Sequence, residues 1–235
     1  MTRAKIAAPL RQEIAREMKS DLAAMVFKPG MRLIERELCE RYEVSRTIVR
    51  EVLRELESQG LVENILNVGP VVSTITPEEA VQIYEIRGNL IGLAARKFVQ
   101  AATPKQVSKI LRIFEQIKRA AARGDVAAVL STVTKLHEAL MSAINHKPLK
   151  EMLDRIHTRV AMLRVLTLSS EGRLTNTIEE LTRIFDAIEA GDAVGAERAY
   201  IDHMNCVASV AGELLKKQQI EQPAPKPTKR QAVVT

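Results

Sequence analysis

The chain has 235 residues, of which 46% are hydrophobic and only 3% aromatic, so its cores must consist largely of aliphatic side chains. It has no apolar run near the ~20 residues that span a bilayer, no recognisable signal peptide and two isolated cysteines, which together predict a cytoplasmic protein without a membrane partner. The net charge of +6 is no argument for nucleic-acid binding, because residues 216–235, with five basic and one acidic side chain, account for most of it.

The first part of the chain, residues 1–75, is predicted to contain three helices followed by a two-stranded hairpin. Helical periodicity and flanking Pro, Gly and Ser residues place the helices at about residues 9–27, 35–41 and 45–59. The β-branched runs on both sides of an Asn/Gly turn are typical of a β-hairpin. Three helices and a hairpin in this order predict a winged helix-turn-helix.

The third predicted helix has one apolar face and a basic N-terminal end. The apolar face has i, i+3, i+4, i+7 spacing and consists of Val49, Val52, Leu53 and Leu56. Arg46, Thr47 and Arg50 lie away from this face, and the acidic residues of the helix all follow its first turn. Such an end is typical of a recognition helix in the major groove, where arginine binds guanine or phosphate. The alternative is a solvated face with pairs such as Arg50–Glu55, but the winged arrangement favours DNA recognition.

Residues 29–62, PGMRLIERELCERYEVSRTIVREVLRELESQGLV, resemble the signature of GntR-type transcription regulators, and the match covers essentially all of residues 9–75. The resemblance implies that the DNA-contacting residues are Arg36, Ser45, Arg46, Thr47, Arg50 and, at the wing tip, Gly69. Many relatives carry a basic residue beside that glycine. This chain has Val68 there, so the resemblance implies weaker wing contacts.

The second part, residues 76–217, contains only helical periodicity. It opens with a capping-box pattern in which Thr76 is the N-cap, Pro77 the first helical residue and Glu79 the N3 residue. Further breaks divide the segment into six helices. The polar, Pro-rich residues 218–235 are predicted to be disordered. The predicted fold is therefore mainly α, with an N-terminal winged helix-turn-helix followed by an all-α bundle of six to seven helices.

Residues 178–204, IEELTRIFDAIEAGDAVGAERAYIDHM, close a segment that looks like the FCD effector domain of the same family's FadR-like branch. The resemblance implies an all-α bundle that commonly binds a metal ion and a small carboxylate. The family's metal-ligand positions correspond to Val133, His137, Leu181 and His203, so half of the ligand set is missing. Because transition metals usually need three or more protein ligands, we expect no cofactor, or at most weak binding of a divalent metal.

Arg87 lies on the apolar stripe of the helix that follows Thr76. A buried guanidinium is costly unless it is paired with an anion, either an internal carboxylate such as that of Asp202 or a carboxylate or phosphate of a ligand. The predicted effector-binding residues are Arg87, His137, Asn145 and His203. The histidines also fit an interpretation as satisfied core residues, and Asn145, in the segment NHKPL, also fits a helix cap or turn.

These patterns predict a ligand-responsive transcription regulator, a repressor, that acts as a homodimer on a pseudo-palindromic operator in double-stranded DNA. Its effector is predicted to be a small carboxylate or another anionic metabolite. One alternative is a DNA-binding regulator whose helical domain is vestigial and binds no ligand. The other is an enzyme, but no nucleophile motif, Gly-rich phosphate loop or intact metal set accompanies the two histidines.

Overall fold

The computed structural model describes the backbone of residues 3–221 and the side chains of residues 9–220. The first part of the fold consists of α1 (Arg3–Ala23), α2 (Glu35–Tyr42), α3 (Arg46–Ser58) and the antiparallel strands β1 (Val62–Ile65) and β2 (Gly69–Val72). The second part consists of α4 (Pro77–Ala101), α5 (Pro104–Ala122), α6 (Val126–Ile144), α7 (Lys147–Leu168), α8 (Arg173–Glu189) and α9 (Ala193–Glu221). The protein is therefore mainly α, and the predicted fold class is confirmed. No helix between residues 3 and 221 is both long and apolar enough to cross a membrane.

The first and last helices differ from the prediction at their ends. α1 contains Pro9 in its interior instead of starting there, and it ends before Met25, whose φ of +59° is incompatible with a continuing helix. α9 continues to Glu221, beyond the predicted end of the bundle at residue 217, because the chain there still consists of good helix formers. The remaining residues of the predicted disordered tail, 222–235, lie outside the described part of the chain.

The apolar face of α3 holds the DNA-binding part together. All four residues predicted for this face are buried: Val49, Val52, Leu53 and Leu56. They pack with Met18 and Leu22 of α1 in one hydrophobic core. Tyr42 fixes α2 to α1 by donating a hydrogen bond of 2.7 Å to the carboxylate of Asp21. Since α3 is held by one face only, its opposite face is left to solvent.

The two strands form the predicted wing. Ile65 pairs with Gly69 at the turn end of the hairpin. The strand-like segment before α2 extends the sheet, since the N–H of Val72 donates to the carbonyl oxygen of Met31 over 2.9 Å. Gly69 is the first residue of β2 and not the wing tip, because residues 66–68 form the turn. Its φ of +95° strongly favours glycine.

Two glycines allow α4 and α9 to pack closely, and this helix pair is the most extensive of the bundle. A Cβ atom added at Gly92 would lie 3.0 Å from the carbonyl oxygen of Glu197, and one added at Gly88 would lie 3.1 Å from Cβ of Met204. Both distances are shorter than an optimal contact, so the two helices approach as closely as glycine permits.

Helix α7 contacts both parts of the fold. Arg159 donates from Nε (3.2 Å) and Nη2 (2.7 Å) to the carbonyl oxygen of Gly60, just after α3. Met162 is buried within the core of the winged helix-turn-helix. Gly60 is required there for two reasons, because its φ is +65° and an added Cβ would collide with the guanidinium of Arg159. The two parts are therefore joined by packing as well as by the chain.

We expect Gly92→Ala to lower the free energy of unfolding by about 1–3 kcal/mol, because the added methyl group meets the backbone of α9. Gly212→Ala is the matched control, since its added Cβ would make an ordinary contact of 3.5 Å with Val81. Alanine at that helical position should instead stabilise the protein by about 0.5–1 kcal/mol. Urea denaturation followed by circular dichroism measures both changes, and equal stabilities of the two variants would contradict the close packing of α4 and α9.

Candidate functional site

The N-terminal end of α3 presents an exposed polar surface with no acidic residue in the first helical turn. Arg46, Thr47 and Arg50 are exposed, and Ser45 occupies the N-cap position. The Ser45 side chain makes no capping hydrogen bond, so its hydroxyl does not occupy the N–H groups of the first turn. A helix N-terminus with free N–H groups, hydroxyls and guanidinium groups is suited to bind phosphate and the edges of bases.

Arg50 is held in place by α2. Its Nε lies 2.9 and 3.0 Å from the two carboxylate oxygens of Glu35. The alternative partner within α3, Glu55, instead pairs with Lys19 of α1 over 3.1 Å. The Arg50 side chain is 60% exposed, so the ion pair with Glu35 orients the guanidinium at the surface without burying it.

The other predicted DNA-contacting residues flank α3. Arg36 is exposed on α2 and lies 3.9 Å from Glu40. Arg50 lines a groove together with Asn64 of β1 and Pro70 of β2, so the recognition helix and the wing adjoin. The wing tip itself is apolar, since Leu66 is 80% exposed.

The helical bundle contains a cavity between α4, α6, α7, α8 and α9. The apolar part of its wall consists of Val129, Val133, Leu136, Val160, Leu168, Leu181, Met204 and Val207. The polar part consists of Tyr84, Arg87, His137, Arg164, Thr167, Arg173, Thr177, Tyr200 and His203. Three of the four predicted effector-binding residues are therefore brought together in one cavity.

Arg87 is 3% exposed and points into this cavity. Its Nη2 lies 3.3 Å from Nδ1 and 3.4 Å from Nε2 of His137, and its Nε has no hydrogen-bond partner among residues 9–220. Asp202, the internal partner considered from the sequence, is exposed and does not pair with it. Burial, and after it the charge of Arg164, lowers the pKa of Arg87 to about 9, so the guanidinium stays protonated at neutral pH.

Arg164 of α7 places a second cation in the cavity wall. It is partly buried, and burial lowers the pKa of its guanidinium. Within the described chain no carboxylate pairs with Arg87 or Arg164. Because an arginine side chain remains charged in proteins at neutral pH, the cavity holds two uncompensated positive charges.

A third arginine in the wall is neutralised by a carboxylate of the protein. Arg173 binds Glu180 bidentately, with distances of 2.6 Å from Nη1 and 2.7 Å from Nη2, and Nδ1 of His203 donates to the same carboxylate over 2.5 Å. Burial opposes ionisation of Glu180, but the hydrogen bonds from His203 and Arg173 outweigh it and lower the pKa of Glu180 to about 2. This network fixes the position and tautomer of His203.

The residues of the cavity do not fit a metal ion. Val133, His137, Leu181 and His203 all line the cavity, but two of them are aliphatic. His137 faces the guanidinium of Arg87 at 3.3 Å, where a divalent cation would be repelled. Across residues 9–220 no group of three or more His, Cys, Asp and Glu side chains could hold a metal ion.

Asn145, the fourth residue predicted to bind the effector, does not line the cavity. It is exposed and forms the C-cap of α6 with a φ of +46°, a backbone conformation that asparagine tolerates better than most residues. The sequence analysis missed Arg164, Arg173 and Thr177. Only Arg164 carries a local signal, since it interrupts the apolar stretch from residue 160 to residue 168.

Polar atoms without partners are concentrated in the cavity. Six buried side-chain polar atoms in the described part of the chain lack a hydrogen-bond partner, and four belong to cavity residues: Tyr84 Oη, Arg87 Nε, Arg173 Nε and Thr177 Oγ1. Because buried polar atoms are normally satisfied, these four indicate a cavity that is completed by a polar occupant.

The fold and these two surfaces define a class of protein: a winged helix-turn-helix joined to a helical domain with an internal cavity. Residues 10–72 match the family model described as "Bacterial regulatory proteins, gntR family", and residues 82–205 match that of the FCD domain. The chain belongs to the gntR family of bacterial regulatory proteins and carries an FCD domain. It is a transcription regulator and not an enzyme.

Individual relatives agree with this assignment. The chain is 25% identical over 198 residues to the HTH-type transcriptional regulator YdhC of Bacillus subtilis, covering 84% of this chain and 88% of the relative. It is 28% identical over 204 residues to a protein of Paenarthrobacter nicotinovorans named "Probable D-xylose utilization operon transcriptional repressor", with coverages of 87% and 88%. The solved structure of McbR/YncC from E. coli superposes with a TM-score of 0.76 at 22% identity, covering 87% of this chain and 97% of the other, and shares the fold.

We expect the partly buried His137 to make the protein less stable in mild acid. Burial, reinforced by the charges of Arg87 and Arg164, lowers the pKa of His137 well below its usual range, so the folded state stays unprotonated there. The unfolded state takes up a proton below about pH 6.5, and the free energy of unfolding therefore falls as the pH falls, by at most ~1.4 kcal/mol per pH unit for one proton.

Urea denaturation of the wild type and of His137→Gln between pH 8 and pH 5 measures this contribution. The variant should lose less stability over this range, and the residual slope belongs to His157 and His203, whose pKa values burial also lowers. Identical slopes in both proteins would show that His137 is not buried in its neutral form.

Proposed function

We propose that the protein is a repressor that binds its operator as a homodimer and releases it when an anionic metabolite occupies the FCD cavity without a metal ion. The observation that carries this proposal is Arg87, a buried guanidinium that faces a cavity and has no carboxylate partner in the described chain. An unpaired buried charge is destabilising. An anion in the cavity would offset that cost, so the protein would favour the liganded state.

The same observation argues against a vestigial, ligand-free domain. Replacing a buried charged group by an apolar one of similar volume is often neutral or stabilising. A domain that bound nothing would therefore gain by losing Arg87 and Arg164, and nothing would keep the hydroxyl groups of Tyr84 and Thr177 unsatisfied beside them. These groups together support a cavity that still binds a ligand.

Repression and dimerisation are supported by different arguments. A relative with 28% identity is named as an operon repressor, which supports repression here. One recognition helix contacts too little DNA for tight specific binding, so two copies related by a two-fold axis would read two half-sites of a pseudo-palindromic operator. In each copy, Arg46 and Arg50 would contact bases while Ser45 and Arg36 contact phosphates.

Helix α7 provides the route from the cavity to the DNA-binding part. Val160 and Arg164 belong to the cavity wall, while the neighbouring Arg159 and Met162 contact the winged helix-turn-helix. Gly60, to which Arg159 donates, lies directly after α3. A displacement of α7 on anion binding would therefore move the recognition helix, and a coupling of about 1–3 kcal/mol is enough for a switch.

We expect Arg46→Ala and Arg50→Ala each to lower the affinity for the operator by about 10- to 100-fold, because a bidentate contact to guanine is worth about 1–3 kcal/mol. Fluorescence anisotropy on an operator selected from random DNA measures the change. Arg112→Ala removes an exposed arginine of α5 and should bind like the wild type. Wild-type affinity of both α3 variants would show that α3 is not the recognition helix.

We also expect a carboxylate or phosphate ester that raises the melting temperature, in the presence of a chelator, to weaken operator binding by about 5- to 150-fold. Arg159→Ala should retain operator binding and ligand binding but reduce this ratio, because it removes the hydrogen bonds to Gly60. Arg155→Ala, an exposed arginine of the same helix, is the matched control. An unchanged ratio in Arg159→Ala would contradict the α7 route, and a screen without any stabilising anion would contradict the sensor.

A further inference from the structure

We infer that the cavity binds a ligand with two negative charges, a dicarboxylate or a phosphate monoester, held jointly by Arg87 and Arg164. This inference rests on the proposed function, because it specifies the ligand of the same cavity. It gives a ligand-binding role to Arg164, a residue for which the family resemblance implies no role.

The balance of charge in the cavity favours two negative charges over one. The bidentate pair with Glu180 neutralises Arg173, and the same carboxylate accepts the hydrogen bond of His203. Arg87 and Arg164 remain as two cations that no carboxylate of the described residues compensates. A singly charged ligand would leave one of the two guanidinium groups without a counter-charge.

The unsatisfied polar atoms favour a ligand that accepts several hydrogen bonds. Arg87 Nε, Tyr84 Oη and Thr177 Oγ1 are each able to donate, and all three residues are at least nine-tenths buried. Carboxylate and phosphate groups are acceptors with several lone pairs, and guanidinium groups bind them bidentately. A metal ion would not satisfy the N–H of Arg87, because it accepts lone pairs and offers none to a donor.

The apolar part of the wall determines where the rest of the ligand lies. Val133, Leu136, Leu181 and Val207 belong to this apolar part. A hydrocarbon chain would bury its surface there while the charged groups contact Arg87 and Arg164. Two guanidinium groups thus supply the two positive charges that a divalent metal ion would otherwise bring to an anion.

The test is isothermal titration calorimetry of the full-length protein in Hepes buffer with a chelator. The probes are succinate, adipate and suberate, the monocarboxylates butyrate, hexanoate and octanoate, and butyl phosphate with inorganic phosphate. We expect at least one dianion to bind about 10- to 100-fold more tightly than the monocarboxylate of equal length, since the second charge gains a charge-assisted hydrogen bond. The dicarboxylate and phosphate probes distinguish the two sources of a double charge.

Arg164→Gln separates the roles of the two arginines. It should remove the preference for the dianion and change the affinity for the monocarboxylate less than about threefold, because Arg87 still binds one carboxylate. Arg155→Gln, on the exposed side of α7, should behave like the wild type. As a second measurement, Arg164→Met should raise the melting temperature of the ligand-free protein by a few degrees, because it removes one of two like charges.

The outcomes distinguish this inference from the proposed function. Equal affinities for mono- and dianions, or an Arg164→Gln variant that weakens both equally, would overturn the two-arginine site and leave an anion sensor in place. A dianion that binds only after Zn²⁺ is added would overturn it as well. Absence of binding by every probe, with and without Zn²⁺, would contradict both proposals. A ligand-free Arg164→Met protein that melts below the wild type would show that Arg164 has a structural partner.

Discussion

The guanidinium of Arg87 cannot leave the interior of the helical domain, because the helix that carries it is fixed on the neighbouring residues. Gly88 and Gly92 bring α4 into contact with the backbone and side chains of α9, so α4 has no freedom to rotate its charged residue towards solvent. The arginine is therefore held at 3% exposure beside His137. The close packing of α4 against α9 thus keeps the charge of Arg87 buried in the wall of the cavity.

This charge also explains why the domain tolerates unsatisfied groups. The interaction between Glu180, Arg173 and His203 shows that the same fold can neutralise a buried arginine with one of its own carboxylates. Arg87 and Arg164 lie in the same cavity wall, but neither pairs with a carboxylate of the described residues. A ligand shifts an equilibrium between two conformations only through a difference in its affinity for them. Helix α7 carries Arg164 and also reaches Gly60, so this difference can act on α3.

The DNA-binding part was largely predictable from the sequence, since its helices and hairpin depend on local periodicity, caps and turns. The buried face of α3 and the wing are confirmed, whereas the partner of Arg50 is Glu35 from another helix, which no local pattern indicates. In the helical part, periodicity predicted six helices and the inward position of Arg87. Arg164 and Thr177 were not found, because their meeting with Arg87 depends on how five helices pack. Asn145 lies outside the cavity and caps α6, which agrees with the alternative of a cap or turn that its sequence context offered.

The most direct test is a crystal structure of the protein purified with a chelator and grown with the tightest-binding anion, with anomalous data collected at the zinc edge. The account predicts density for the anion in contact with the guanidinium groups of both Arg87 and Arg164, and no anomalous peak between His137 and His203. An anomalous peak bridging these histidines would contradict it. So would a cavity filled by side chains, with the two arginines paired to carboxylates of the protein.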